Sequence, residues 1–176
     1  VAIIYQEFNL LPERTVAQNI YLGREPSKFG VINPPQLNKQ TEDVLKELGV
    51  ANMINPTALV STLSVAEQQL VEIARALSRQ AQVIIMDDPT SALSPSEIEK
   101  LFEVIQNFKQ SGVGVLYVSH KLDEIYRIAD RVTVFRDGVR IVTEHVAKTD
   151  AQDLVRWMVG REIKDLFPKT ASKIGC

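Results

Sequence analysis

"VIIMDDPTSALS", residues 83–94, runs four apolar residues into two adjacent carboxylates, then a proline and a turn of small residues. A short apolar run of this kind, bounded by turn residues, reads as a buried strand, and the groups at its carboxyl end are set apart for other work. Outward from this stretch the hydrophobic period alternates between strand and helix. The pattern predicts a strand over 82–87 and a helix over 95–110 with Ile98, Leu101, Phe102, Ile105 and Phe108 inward. A strand over 113–119 and a helix over 121–129 follow, then strands over 131–136 and 139–146 joined by "RDG" as a hairpin, and a last helix over about 150–159. Strand, helix, strand, helix with near-continuous apolar strands implies an α/β fold with a parallel sheet, whose functional groups lie at the strand carboxyl ends. Three polar constellations occupy such positions: Gln6, Asp87–Asp88 and His120.

Upstream, the chain opens inside an apolar run, "VAIIYQ", which reads as a strand with no turn or cap ahead of it. "TVAQNIYLG" predicts a short helix capped by Thr15 and stopped by Gly23, and "GVINPP" a breaker-rich loop. A helix is expected over 36–48, with Leu37, Val44, Leu45 and Leu48 on one face and Gly49 closing it. After "NPTALVST", Ser64 opens another helix with Leu70, Ile73, Ala74 and Leu77 as its buried stripe. Residues 11–80 are thus expected to be almost entirely helical. The expected core comprises sheet residues 2–4, 83–86, 115–118 and 132–135, packed on helices 64–79 and 95–110.

Bulk properties exclude several classes. The 176 residues suffice for one substantial core, and 45% hydrophobic with 24% charged residues is too apolar for a disordered chain. The net charge is −2, and Arg127, Arg131, Arg136 and Arg140 are interleaved with Asp130 and Asp137, so a basic nucleic-acid face is not expected. The single cysteine, Cys176, allows neither an internal disulfide nor a cysteine metal cage and favours a reducing compartment. No apolar run approaches the ~18 residues of a spanning helix, so any membrane role is expected to be peripheral.

Four apolar residues ending in Asp87 match the strand whose carboxylate orients the magnesium ion in phosphate-loop nucleotidases. Taken alone, a strand ending in Asp is more often a turn cap. The following "DPTSAL" shifts the balance, because Asp88 beside such a ligand stands where a carboxylate polarises a water attacking in line. In this whole arrangement the sequence resembles the ATP-binding subunits of ABC transporters. The resemblance implies an α/β P-loop (RecA-like) parallel sheet with an inserted α-helical subdomain. It implies that Gln6 is the glutamine sensing Mg2+ and attacking water, that "LSVAEQQLVEIARAL" (63–77) is the signature, and that Ser91, Ala92 and Leu93 form the D-loop. His120 in "YVSHKLDEI" resembles the switch histidine. The implied catalytic groups are Asp88, His120 and Gln6; Asp87 and Gln6 would hold Mg2+. Ser64, Val65, Ala66 and Glu67, at a helix N-terminus, would meet the nucleotide of a facing domain together with Ser91–Leu93. Singly, Ser64 is equally an N-cap, Gln6 a residue after a strand, and His120 a strand-end histidine; their joint order and spacing argue against coincidence. His145 is assigned no role.

"YQEFNLLPERTVAQNIYLGRE", "LSVAEQQ", "VSHKLDEIYRIADRVTVFRDG" and "WMVGREIKDLFPK" narrow the resemblance to the first nucleotide-binding half of tandem sugar-import ATPases of the ribose, galactose, xylose and arabinose type. Val65 and Ala66 stand where two glycines are commonest, a replacement usual in that subfamily, and would limit close backbone approach to phosphate. Two departures bear on activity. No G-x-x-x-x-G-K-[ST] occurs in the 176 residues, so the chain is expected to be a truncated domain that binds ATP poorly on its own. Asp88 replaces the usual glutamate, a carboxylate arm shorter by about 1.5 Å, and slowed hydrolysis is expected. The implied organisation is an ATPase core of 1–10 and 81–169, a helical subdomain of 11–80 and a tail of 170–176. The resemblance implies a second nucleotide-binding domain, transmembrane permease subunits and, indirectly, a sugar-binding protein as partners, at the cytoplasmic face of the membrane. The alternatives are a non-catalytic remnant or regulatory module, and, disfavoured by the sugar-type tail, an ABC ATPase of DNA repair or translation.

Overall fold

The structure, a computed structural model, describes residues 1–5 and 8–160. The chain divides into two compact units, Val1–His120 and Lys121–Cys176. Gln6, Cys176 and the tail segment 161–169 of the sugar-type motif lie outside the described residues.

In the first unit the elements follow in the order β1 (Ala2–Ile4), α1 (Val16–Ile20), β2 (Ser27–Lys28), β3 (Val31–Ile32), α2 (Pro34–Glu47), α3 (Val65–Leu77), β4 (Val83–Asp87), α4 (Pro95–Gln110) and β5 (Gly114–Val118). Helix starts are set by side-chain caps, as the sequence signals: Thr15, Ser64 and Ser94 each close a capping box with the residue three positions on, satisfying backbone N–H groups that the helix itself leaves open. The helix expected from 36 begins two residues earlier, because Asn33 caps it and Pro34 occupies the first turn, where a missing N–H costs nothing. α1 ends at Ile20, short of Gly23.

The loop expected at "GVINPP" is in part a hairpin: β2 and β3 pair antiparallel around Phe29–Gly30, both at positive φ (53° and 80°). That is the primed turn geometry that matches strand twist, formed here with an unusual Phe at the first position, so turn composition did not announce it. With this hairpin and its flanking loops, residues 11–80 are less uniformly helical than expected. α1, α2 and α3 pack on one another through Val16, Ile20, Leu45 and Ile73, each fully buried. The stripe on α3 is broader than expected, since Gln69, Val71, Glu72 and Ala76 are buried as well, while Leu77 is only half-buried.

β1, β4 and β5 form a parallel sheet in the order β1-β4-β5, with Ile3 opposite Ile85 and Ile85 opposite Leu116. Alternate residues take opposite faces. Ile4, Ile84 and Met86 are buried beside the helices; Leu101, Phe102, Ile105 and Phe108 of α4 supply the matching apolar face. The other face carries Ile3, Val83, Leu116 and Val118, exposed by 46%, 37%, 56% and 47%. The expectation that 2–4, 83–86 and 115–118 are core throughout is therefore corrected. An apolar run reads the same whether both faces or one are covered, and here one is.

The second unit contains α5 (Leu122–Ile128), the antiparallel pair β6 (Arg131–Arg136) and β7 (Val139–His145), and α6 (Ala151–Val159). The hairpin turns at Asp137–Gly138, again with both φ values positive, and its register slips at Val134/Phe135. Val132, Val134, Val146 and Leu154 form its buried centre, whereas Phe135, placed in the core by the sequence, is 66% exposed on the outer face. Asp150 caps α6, and the Arg136 guanidinium donates to the Trp157 carbonyl at 3.2 Å, tying hairpin to helix. Among the described residues, no helix is long and apolar enough to cross a membrane.

Candidate functional site

β4 delivers Asp87 to the carboxyl end of the sheet, opposite Val118 on β5, with its side chain exposed. The chain then breaks sharply. Asp88 adopts a left-handed conformation (φ 42°), which short polar residues tolerate better than others, and its N–H donates to the Val118 carbonyl at 2.9 Å. This kink turns the Asp88 carboxylate toward His120, two residues beyond β5: Asp88 Oδ2 lies 3.6 Å from His120 Nδ1. The Asp88 side chain is 19% exposed and that of His120 71%. Asp88 Oδ1 is buried without a hydrogen-bond partner among the described residues. A buried carboxylate oxygen with an open lone pair, held by its backbone beside an exposed imidazole, is an acceptor prepared for a proton-bearing ligand such as water.

The donor set also bears on magnesium. Asp87 offers hard, exposed carboxylate oxygens, and no group of three His, Cys, Asp or Glu side chains among the described residues is placed to hold a metal. One or two carboxylates completed by water and substrate phosphate is how Mg2+ is ordinarily held, so the residues present fit that ion.

A second group gathers at the N-terminus of α3. Ser64 Oγ accepts from the Glu67 N–H at 3.3 Å, and Glu67 Oε2 accepts from the Ser64 N–H at 2.8 Å. Ser64 is exposed and Val65 is 42% exposed, so this helix end faces outward. Ser64, Ala66 and Glu67 line a cavity of about 200 Å³ with Leu93, Glu97 and Lys100, which brings the expected signature and D-loop residues to one place. Ser91 and Leu93 turn back on the preceding loop, their N–H groups meeting the Asp88 and Thr90 carbonyls at 3.4 and 3.3 Å. At the start of α4 the Ser94 N–H and hydroxyl hold the Glu97 carboxyl below its ordinary value. The site residues thus fall into two groups: Asp87, Asp88 and His120 at the sheet edge, and Ser64–Glu67 with Leu93 at the helix N-termini.

Sequence reasoning missed three polar residues. Asn19 is 1% exposed; its amide accepts from the Leu11 N–H at 2.7 Å and donates to the Leu11 and Thr15 carbonyls, both at 3.0 Å. Glu72 Oε1 accepts from the Asn9 N–H at 3.0 Å, and Arg75 Nη1 donates to the Asn9 carbonyl at 2.9 Å. The available signal was a polar residue inside an apolar helical stripe: Asn19 between Ala17 and Ile20, Glu72 between Val71 and Ile73.

A parallel sheet with paired carboxylates at a strand end, flanked by capped helices, defines an α/β cassette fold. Residues 1–91 match the family model described as ABC transporter, and the chain belongs to that family. It is 51% identical over 175 residues to a ribose import ATP-binding protein (RbsA 3) of Rubrobacter xylanophilus and 45% identical over 175 residues to the ribose import ATP-binding protein RbsA of Chromobacterium violaceum. Each comparison covers 99% of this chain but 35% of the relative, so the chain spans about a third of the length of the curated relatives it matches. Among solved structures it is similar to a dimeric ATP-binding cassette in a post-hydrolysis state bound to ADP and Pi (TM-score 0.65, 26% identity, 82% of this chain and 63% of that one). A nucleotide-free ATP-binding cassette from an ABC transporter shares the fold at TM-score 0.67 and 20% identity, over 90% of this chain and 65% of that one.

Proposed function

We propose that these residues belong to the ATP-hydrolysing subunit of a sugar importer, within its first nucleotide-binding domain, organised as a core of 1–10 and 81–169, a helical subdomain of 11–80 and a tail of 170–176. The observation that carries the reading is the Asp87–Asp88 pair at the carboxyl end of β4 with His120 beside Asp88. The identity to ribose import proteins supports carbohydrate as cargo.

Asp88 holds a water through Oδ1 and accepts its proton as the water oxygen bonds to the γ-phosphorus of ATP and the bridging P–O bond breaks, ADP leaving with the electron pair. His120, exposed on its outer side, steadies that carboxylate and offers its other face to the departing phosphate. Asp87, with Gln6, would hold Mg2+, which when bound supplies charge neutralisation across the terminal phosphates. Ser64, Val65, Ala66 and Glu67 present the N-terminus of α3 to nucleotide carried by a second such domain, and Ser91–Leu93 join that contact. Transmembrane permease subunits, and through them a sugar-binding protein, are the remaining partners, at the cytoplasmic face of the membrane.

With no phosphate-cradling G-x-x-x-x-G-K-[ST] in the 176 residues, the segment by itself binds ATP weakly; micromolar, Mg2+-dependent binding of a fluorescent ATP analogue by it would contradict this. A second reading, a regulatory module without turnover, is favoured by the shorter arm of Asp88 at the water-positioning place. Phosphate release by the full-length protein decides between them. Mg2+-dependent turnover that Asp88→Asn abolishes and Asp88→Glu accelerates supports the first reading; absence of turnover, or turnover that Asp88→Asn leaves intact, overturns it.

A further inference from the structure

The segment leaving β1 is fastened by side chains rather than by a neighbouring strand. Both backbone polar groups of Asn9 are taken from α3: its N–H by Glu72 and its carbonyl by Arg75. Glu72 and Arg75 are themselves paired at 3.6 Å, with side chains 11% and 20% exposed. Two residues on, both backbone groups of Leu11 are taken by the amide of Asn19 on α1. Residues 9–11 are thus gripped every second residue, as a strand would be, from partners 63, 66 and 8 positions away. Four residues separate Asn9 from Ile4, which pairs with Met86, immediately before Asp87. The same α3 carries Ser64 at its N-cap.

We infer that Glu72 and Arg75 are positioning residues: a two-point clamp on Asn9 that joins the helix presenting Ser64 to the strand beside Asp87, so that the two groups of the site keep a common geometry. The inference rests on the ATPase reading above. Asn9 is exposed, so water replaces the carboxylate when Glu72 is removed and the amide is no longer held to α3; the effect of Glu72 is expressed first at Asn9 and then in the chemistry. Arg75 holds the carbonyl side, and its loss lets the peptide rotate about the remaining bond.

The test uses the full-length protein with Glu72→Ala, Glu72→Gln and Arg75→Ala. Amide hydrogen exchange over residues 8–11 and kcat and KM for ATP are measured together. Glu72→Ala is expected to speed exchange at Asn9 by about tenfold while Leu11, held by Asn19, stays protected. kcat should fall by about tenfold with KM within about twofold, the signature of lost positioning rather than lost binding. Glu72→Gln keeps an acceptor for the Asn9 N–H and should restore most of both. If Glu72→Ala does not fold, Arg75→Ala, at a more exposed position, carries the same expectation. Faster exchange at Asn9 with unchanged kcat, or unchanged exchange in every variant, overturns the clamp. A wild-type protein without turnover refutes the ATPase reading instead, and leaves the exchange result to decide whether the clamp exists.

Discussion

Asp88 should be costly to the fold that carries it. Its left-handed backbone costs about 1–2 kcal/mol in a residue with a Cβ. The opposing contact, a 3.6 Å approach to a His120 side chain that is 71% exposed, stabilises by no more than ~1 kcal/mol. Asp88→Ala keeps the positive φ, which alanine tolerates no better than aspartate, and removes only the weak contact with His120, so it should stay within about 1 kcal/mol of wild type. Asp88→Gly also removes the strain, partly offset by the greater freedom of glycine in the unfolded chain, and should gain about 0.5–1 kcal/mol beyond alanine. Urea unfolding reads these differences, and thermal melts should rise by about 2–4 °C for each kcal/mol in a chain of this size. Phosphate release by the full-length protein should be lost in both variants with ATP binding retained. Asp88→Ala less stable than wild type by more than ~1 kcal/mol would refute the reasoning, because the carboxylate would then stabilise the fold beyond its weak contact with His120. Glycine no better than alanine would refute the strain.

Other variants probe the surroundings. Burial pushes the Glu72 carboxyl above its ordinary value, against the pull of Arg75 and the Asn9 N–H, so the folded chain holds its proton to higher pH than the unfolded chain. That contribution is complete below the unfolded value and is lost as pH rises through the folded one; wild-type stability relative to Glu72→Gln should therefore fall with rising pH across this window in urea melts, and a rise would mean that the ion pair outweighs burial. Asn19→Ala removes both side-chain partners of the Leu11 backbone, which water can replace because Leu11 is 43% exposed, and should destabilise by about 1–2 kcal/mol, seen as early proteolysis within 8–14. Glu67→Gln keeps the capping box while removing a negative charge from the end of α3; at roughly 6 Å and an effective dielectric constant of about 60 this favours an approaching phosphate by about 0.9 kcal/mol, or about fivefold in ATP-driven association with the facing domain. Gly160 sits at φ 78°, where an added Cβ would lie 2.5 Å from the Arg136 guanidinium, so Gly160→Ala should cost about 1–2 kcal/mol and loosen α6 from the hairpin in exchange measurements.

Local chemistry was legible wherever the cause is local. Ser64 with Glu67 and Ser94 with Glu97 announce helix starts because the bonds that form them span three residues, and the "RDG" hairpin and the β4-to-α4 succession follow from periods of two and 3.6. The Phe29–Gly30 turn escaped notice because its first residue is not a turn former.

From the sequence alone came the fold class, the order of its strands and helices apart from the β2–β3 hairpin, and the placement of Asp87, Asp88 and His120 at strand ends, since each depends on spacing along one stretch of chain. Only the tertiary structure decided that Asp88 is kinked so that its carboxylate meets His120, that Ser64 and Leu93 share a cavity, and that Glu72 and Arg75 grip Asn9. Those arrangements join residues from 29 to 66 positions apart, and their geometry exists only after the sheet register and the packing of α3 have brought the partners within bonding distance.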